Sequence, residues 1–336
     1  MFYLFIGSTE LSKVPGVSAA GANPEVTPYT APVDADMIRF GRSRIFKGLP
    51  VDPHGHPTPA IITRAAVLEA GIPVTAVQAG SWMAPSPPYI ETGASPAGDP
   101  RFGPAVPDAA GIMESGAELA RNAGKPLFVM AAESVPGGTT TALLVLRALG
   151  YREMVSSAGP ENPVNLKESV WAEAARRLGI RAGALADDPL RAITELGDPM
   201  QAAVAGFVEA LPPETEVVLA GGTQMLAVAA LLRALFQRRN GTPKKLPLVA
   251  TTNYVRRDRN ADFSALALNI GVETWSAPLD FSRSPHPGLA GYEDGYVKEG
   301  AGAGGAVYYA ERLGVQAGRV IERTNALYSE MMNEKA

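Results

Sequence analysis

Three features of the chain predict an α/β fold, a parallel Rossmann-like sheet flanked by helices. Short apolar runs bounded by turn residues recur along the sequence, the pattern of buried strands. From residue 108 onward these runs alternate with helical stretches, which is the pattern of βαβ units. Two of them are followed by a Gly-Gly-Thr turn that opens a helix, at Gly137-Gly138-Thr139 and at Gly221-Gly222-Thr223.

The elements follow in order. Phe2 to Ile6 is a first strand, apolar but short. Residues 7–60 are rich in Pro, Gly, Ser and Thr and show little periodicity. Residues 61–71 read as a helix and 72–77 as a strand. Residues 80–107 hold Pro85, Pro87, Pro88, Pro96, Pro100, Pro104 and Pro107, too many for regular structure. A loop of that length in a compact domain serves as a lid, a binding loop or a dimer arm. Then come helix 108–123, strand 126–132 and helix 139–149. A polar loop from Ser156 to Asn165 leads into helices 166–178 and 199–210. Strand 217–220, helix 224–239, and strands 246–252 and 272–276 complete the alternation. A long helix is predicted from Val307 to Met332. The expected organisation is a large α/β domain over 108–300. Residues 1–107 with 301–336 form a smaller subdomain, lid or dimer segment.

Composition narrows the function. The 336 residues are 46% hydrophobic, enough for a sizeable core, and only 19% charged. A net charge of −4 argues against a nucleic-acid partner, which calls for a basic patch. No cysteine is present, which excludes disulfides, thiolate metal sites and a cysteine nucleophile. His54, His56 and His286 are too few and too scattered for a histidine metal centre, so no metal is expected. No apolar run reaches the roughly 18 residues that a membrane span needs. A soluble cytoplasmic protein with no membrane partner is the expectation.

The richest stretch runs from Leu127 to Leu144. It reads as a strand, a carboxylate (Glu133), the turn Gly137-Gly138, and a helix opened by Thr139, Thr140 and Thr141. Such a turn aims backbone N–H groups and hydroxyls at one spot, where the helix dipole favours an anion such as phosphate. Gly221 and Gly222 repeat the arrangement, so two loops are expected to face one crevice at the C-terminal sheet edge. Glu133 either satisfies donors at the helix start or serves a part of the ligand other than phosphate. Glu299 precedes the small residues Gly300, Ala301, Gly302, Ala303, Gly304 and Gly305. It either caps the terminal helix or acts as a carboxylate base beside a flat ligand. Lys167, in a first helical turn, reads alone as a solvated surface lysine or as the partner of a bound anion. Arg256-Arg-Asp-Arg259 reads as a solvated loop. The P-loop, the dinucleotide fingerprint and the nucleophile elbow are all missing.

Taken together, these residues resemble the nicotinate-nucleotide:dimethylbenzimidazole phosphoribosyltransferase family, in its archaeal-type branch. Glu133-Ser-Val-Pro-Gly-Gly-Thr-Thr-Thr is similar to that family's Glu-x-Gly-x-Gly-Asn-Thr-Thr loop. Lys167 resembles its lysine after the next glycine-rich loop, and Gly221-Gly-Thr-Gln224 its Gly-Gly-Phe-Glu turn. Lys298-Glu299-Gly300-Ala301-Gly302-Ala303 resembles its Gly-Glu-Gly-Ser-Gly-Ala segment. The resemblance covers about residues 110–320, with the landmarks in order. It departs at Pro136-Gly137-Gly138 and across the first hundred residues.

The resemblance implies transfer of ribose 5-phosphate from nicotinate mononucleotide to a benzimidazole-like base, as in assembly of the cobalamin lower ligand. It implies Glu299 as general base, and the 137–141 turn with Lys167 as phosphate contacts. Glu133 would contact ribose or base. Gly221, Gly222, Gly300 and Gly302 would line the substrates. It implies no cofactor and small-molecule partners only. The proline-rich 80–107 segment, read as completing a partner's site, leads to the expectation of a homodimer. A diphosphate-binding Asp-Asp-x-x-x-Thr-Gly-Gly loop is absent, which favours a mononucleotide donor. The alternative is a non-catalytic nucleotide-binding or sensor protein on the same fold.

Overall fold

The apolar run that opens the chain lies in the middle of the sheet. In the computed structural model, which describes residues 1–333 apart from 19, 22, 24 and 239–243, seven parallel strands pair in one sheet. They are β1 (Phe2–Ile6), β2 (Val74–Gln78), β3 (Tyr89–Glu91), β4 (Phe128–Ser134), β5 (Glu216–Ala220), β6 (Leu248–Thr252) and β7 (Thr274–Ala277). Their order is β3-β2-β1-β4-β5-β6-β7. The chain therefore builds outward from β1 in one direction, then returns to its other side with β4. In open α/β sheets such a reversal leaves a crevice at the strand C-termini, where ligands bind.

The helices are α1 (Thr30–Phe40), α2 (Ala60–Ala70), α3 (Ala109–Asn122), α4 (Gly138–Leu149), α5 (Val164–Leu178), α6 (Pro189–Leu196) and α7 (Pro199–Ala210). They continue with α8 (Thr223–Arg238), α9 (Asn253–Arg256), α10 (Phe263–Ile270), α11 (Pro287–Ala290), α12 (Ala303–Arg312) and α13 (Ala317–Asn333). They cover the sheet on both faces, which is why the central strand β1 is apolar and buried at every position, while the edge strand β3 is exposed. Alternate residues of β1 divide between two cores: Phe2, Leu4 and Ile6 pack with α1, α2, α12 and α13, while Tyr3 and Phe5 pack with the α4, α7 and α8 side.

The predicted α/β class and the parallel sheet are observed. Several elements differ from the expectations. Helix α1 lies in the stretch that reads as aperiodic, and β3 in the proline-rich segment. Helices α6 and α10 are additional. The predicted end of α8, residue 239, lies outside the described residues. The proline-rich segment is tied to its own chain: the Ser86 N–H donates to Asp36 Oδ1 at 3.0 Å, and Thr9 bridges Ala97. The terminal segments do meet, α12 and α13 against α2. They do so on a sheet whose strands come from both sides of residue 108.

The single long helix expected from Val307 to Met332 is two helices. Gly314, at φ +91°, ends α12 in a backbone conformation that glycine adopts without strain. Helix α12 also starts earlier than expected, inside the glycine run. A Cβ on Gly304 would sit 1.9 Å from the Thr251 carbonyl carbon, and one on Gly305 would sit 2.2 Å from Ala220 Cβ. The close approach that these glycines permit is therefore to strands β5 and β6, rather than to a flat ligand.

Candidate active site

A cavity of about 400 Å³ opens at the C-terminal edge of β4 and β5, within the size range of small-molecule sites. Glu133, Gly137, Gly138, Thr139, Gly222, Glu299 and Gly300 all line it. The two Gly-Gly-Thr turns thus face one space, as the repeated pattern predicts. Its outer wall comes from residues 16–59, including Val33, Asp34, Phe46, Leu49, Asp52 and Thr58. Among the described residues that line it, none comes from the proline-rich 80–107 segment.

Glu299 is held by four donors. The Thr252 N–H and Thr251 hydroxyl donate to Oε2 at 2.7 and 3.1 Å, and the Gly300 and Gly304 N–H groups to Oε1 at 3.2 Å each. The carboxylate therefore accepts from the first turn of α12, and the residue also lines the cavity. Burial pushes its carboxyl up to about 7 against the opposing pull of those donors. The backbone is strained on either side, with Val297 at φ +46° and Ala301 at φ +50°. The Thr63 hydroxyl donates to the Ala301 carbonyl at 2.9 Å, which ties this turn to α2.

Glu133 sits at the end of β4 and is buried. Burial first, then the nearby Glu299, Asp198 and Asp34 carboxyls, push it well above the ordinary carboxylate range. Its Oε2 is buried without a hydrogen-bond partner among the described residues. Gly221 makes room for it, since a Cβ there would lie 3.0 Å from Glu133 Oε1.

Four predicted site residues lie outside the cavity wall. Gly221 and Gly302 are packing positions; a Cβ on Gly302 would sit 2.5 Å from Ala132 Cβ. Thr140 is buried within α4. Lys167 is fully buried, neither solvated nor at the cavity. Its Nζ donates to the Ser156 carbonyl at 2.8 Å and to Asn162 Oδ1 at 2.9 Å. Burial, then the Lys298 charge, lower its ammonium to about 7. Its role in this structure is to hold the 156–162 loop, whose Ser156, Ser157 and Gly159 line the cavity.

Lys298 holds the same loop from the other side. It pairs with Asp258 Oδ2 at 2.9 Å and donates to the Ser157 carbonyl at 3.1 Å and to the Gly159 carbonyl. Ser156 Oγ donates to the same Asp258 oxygen at 2.6 Å. Asp258 therefore departs from the solvated-loop expectation: Arg256 and Arg257 are exposed, but this carboxylate turns inward.

Sequence reasoning missed Asp34, Thr58 and Ser134. Their signal was weak but present. Asp34 and Asp36 are acids set among Ala31, Val33, Ala35, Met37 and Ile38 of α1, where an unpaired charge is costly.

Asp34 and Asp198 are pushed up to about 6, burial being the first cause in each, as it is for Glu299 at about 7. The folded state keeps protons that the unfolded chain releases near about pH 4. The stability they contribute is full below that pH and is lost as pH rises through 6 to 7. Thermal melts at constant ionic strength are expected to give a higher Tm near about pH 5 than near about pH 8. A flat or rising Tm across that window contradicts the burial of these acids. Lys167, with a lowered value, has the opposite sign and acts above about 7.

This architecture defines a doubly wound parallel α/β protein with an acid-lined cavity at its switch point. Its fold is that of nicotinate-nucleotide-dimethylbenzimidazole phosphoribosyltransferase. The Thermus thermophilus structure of that protein superposes with a TM-score of 0.59 at 19% identity, covering 96% of this chain and 82% of the other. A second structure, CobT from the same organism, gives 0.59 at 18%, covering 97% and 83%. No family model matches the chain. It is 46% identical to a UPF0284 protein of Thermococcus kodakarensis over all of this chain and 99% of the relative. Identity is 44% to a UPF0284 protein of Pyrococcus furiosus, over 99% of each chain. It is 42% to the UPF0284 protein of Methanosarcina mazei, over 94% of this chain and 90% of the relative. The chain belongs to the UPF0284 family.

Proposed function

We propose that this protein transfers the phosphoribosyl group of nicotinate mononucleotide to the ring nitrogen of a benzimidazole-like base. The observation that carries this reading is the pairing, in one cavity, of a buried carboxyl poised near neutrality with the glycine-opened start of α4. The fold of the Thermus proteins supports it.

The chemistry is balanced without a metal. The base nitrogen forms a bond to ribose C1′. The C1′–pyridinium bond breaks, and its electron pair goes to the nicotinate nitrogen, which leaves neutral. The proton on the base's other ring nitrogen passes to Glu299, which leaves the new nucleotide's base neutral. A base matched to the operating pH supplies about 10²–10⁴-fold. Glu299 is matched by burial, and its four donors keep the carboxylate oriented. The N-terminus of α4 has no side-chain cap: its N-cap is Gly137, at φ +80°. A 5′-phosphate there takes the place of a cap and meets the positive end of the helix dipole. Glycine at 138 makes room for Gln224, whose Oε1 would lie 1.7 Å from a Cβ there, and Gly137 packs against Thr9 and Ser12, so the turn is held close to its neighbours.

The test is a turnover assay. Purified protein is incubated with nicotinate mononucleotide and a panel of bases (dimethylbenzimidazole, benzimidazole, adenine, a phenol), with and without a chelator. Nicotinate release and product mass are followed. Base-dependent release of nicotinate with formation of the ribotide is expected. Tight nucleotide binding with no release from any base would overturn the transferase reading in favour of a binding protein.

A further inference from the structure

Three segments far apart in sequence meet in the cavity wall: Asp34 on α1, Thr58 ahead of α2, and Ser134 at the end of β4. Thr58 Oγ1 donates to Asp34 Oδ1 at 2.6 Å, and Ser134 Oγ donates to Oδ2 at 2.7 Å. Asp34 is only 3% exposed. A hydroxyl has one proton. Each of these hydroxyls directs its proton to Asp34, so the three groups offer further partners nothing but oxygen lone pairs. Glu133, 2% exposed, lines the same cavity one residue before Ser134 with an unpartnered Oε2; burial favours its protonated form, so it stands outside the acceptor-only set. Val33, Phe46 and Leu49 make the neighbouring wall apolar.

A ligand that fills this space without donors would strip water from these acceptors and leave them unsatisfied. A ligand with two adjacent donors satisfies them instead. We propose that Asp34, Thr58 and Ser134 form an acceptor-only subsite that selects ligands presenting adjacent O–H or N–H donors. Asp34 is then a specificity-determining residue. The inference rests on the phosphoribosyl-transfer reading for its ligand. Under that reading the donors come either from the ribose 2′- and 3′-hydroxyls of the nucleotide or from an amino-bearing edge of the acceptor base.

The test uses the full-length protein at a pH above 7, where Asp34 is ionised. Calorimetry measures binding of nicotinate mononucleotide and its 2′-deoxy and 3′-deoxy analogues, and of bases with and without an exocyclic amine. Wild type, Asp34→Asn and Thr58→Val are compared, with thermal melts to establish folding. Thr58→Val keeps the Asp34 carboxyl and removes one of its two side-chain hydroxyl donors, so a second variant reads the subsite if Asp34→Asn folds poorly.

The expected result is a preference of about 10–100-fold for the ribonucleotide over its deoxy analogues in wild type, largely lost in both variants. Loss of discrimination between amino-bearing and amino-free bases instead would keep the subsite and assign its donors to the acceptor. If the variants fold and neither ratio moves, the subsite is overturned, while turnover by wild type leaves the transferase reading standing. Conversely, no nucleotide binding by wild type, with amine discrimination that both variants lose, overturns the transferase reading and keeps the subsite.

Discussion

Glu299→Gln is expected to lower nicotinate release by about 10²–10⁴-fold while the nucleotide still binds. The substitution keeps the size of the side chain and removes its ability to take a proton. It also has a structural consequence. All four groups around the carboxylate donate hydrogen bonds, two to each oxygen. An amide has only one acceptor oxygen, so its NH₂ must face two donors, whichever way it turns. A drop in stability of about 1–3 kcal/mol should therefore accompany the loss of activity. Melting curves and nucleotide titration separate the two effects. A second signature comes from pH. The carboxyl is pushed up to about 7, and only its ionised form accepts a proton. The wild-type rate should rise as pH increases through that value and then level off, and this limb should vanish in Glu299→Gln. A variant that releases nicotinate at the wild-type rate removes Glu299 from the chemistry.

Lys298→Ala is expected to produce the largest loss of stability, about 3–5 kcal/mol. Lys298 and Asp258 form a pair with side chains 3% and 2% exposed. Deleting one partner leaves a buried carboxylate with Ser156 Oγ as its remaining side-chain donor. It also releases the Ser157 and Gly159 carbonyls, and with them one wall of the cavity. Affinity for the nucleotide should fall alongside stability. Replacing both members, Lys298→Met with Asp258→Leu, removes the uncompensated charge and should recover much of the stability without restoring the loop. Urea unfolding of the single and double variants checks this. Equal stability of Lys298→Ala and wild type would show that the pair carries no net weight in the fold.

Much of the site was legible because it is built locally. A strand, a carboxylate, two glycines and a helix start occupy consecutive residues from 128 to 149, and each step follows from short-range rules. The same holds for Gly221 to Thr223 and for the Glu299 segment. The glycine run after Gly300 was legible as a place of close approach, but not as to what approaches. Only the packing of α12 on Thr251 and Ala220 identifies the sheet as that partner.

Lys167 shows the limit of a local reading. A lysine near a helix start points to an anion or to solvent, and it is neither exposed nor at the cavity. Its partners Ser156 and Asn162 lie on the preceding loop, and the charges that act on it, Lys298 and Asp258, come from much later in the chain. The partners of Asp34 were illegible for the same reason. They stand 24 and 100 residues away, and no spacing rule connects them.

Hydrophobic pattern and turn chemistry were thus sufficient for the parallel sheet, for the two glycine turns at its C-terminal edge, and for Glu299 as an acid beside a helix start. These depend on neighbours within a few residues, where backbone geometry and side-chain volume act directly. Strand order, the source of the cavity's outer wall, and the protonation of its acids came only from the folded chain. They depend on which distant groups share a desolvated space, and a carboxyl's pKa is set by that space rather than by its place in the sequence.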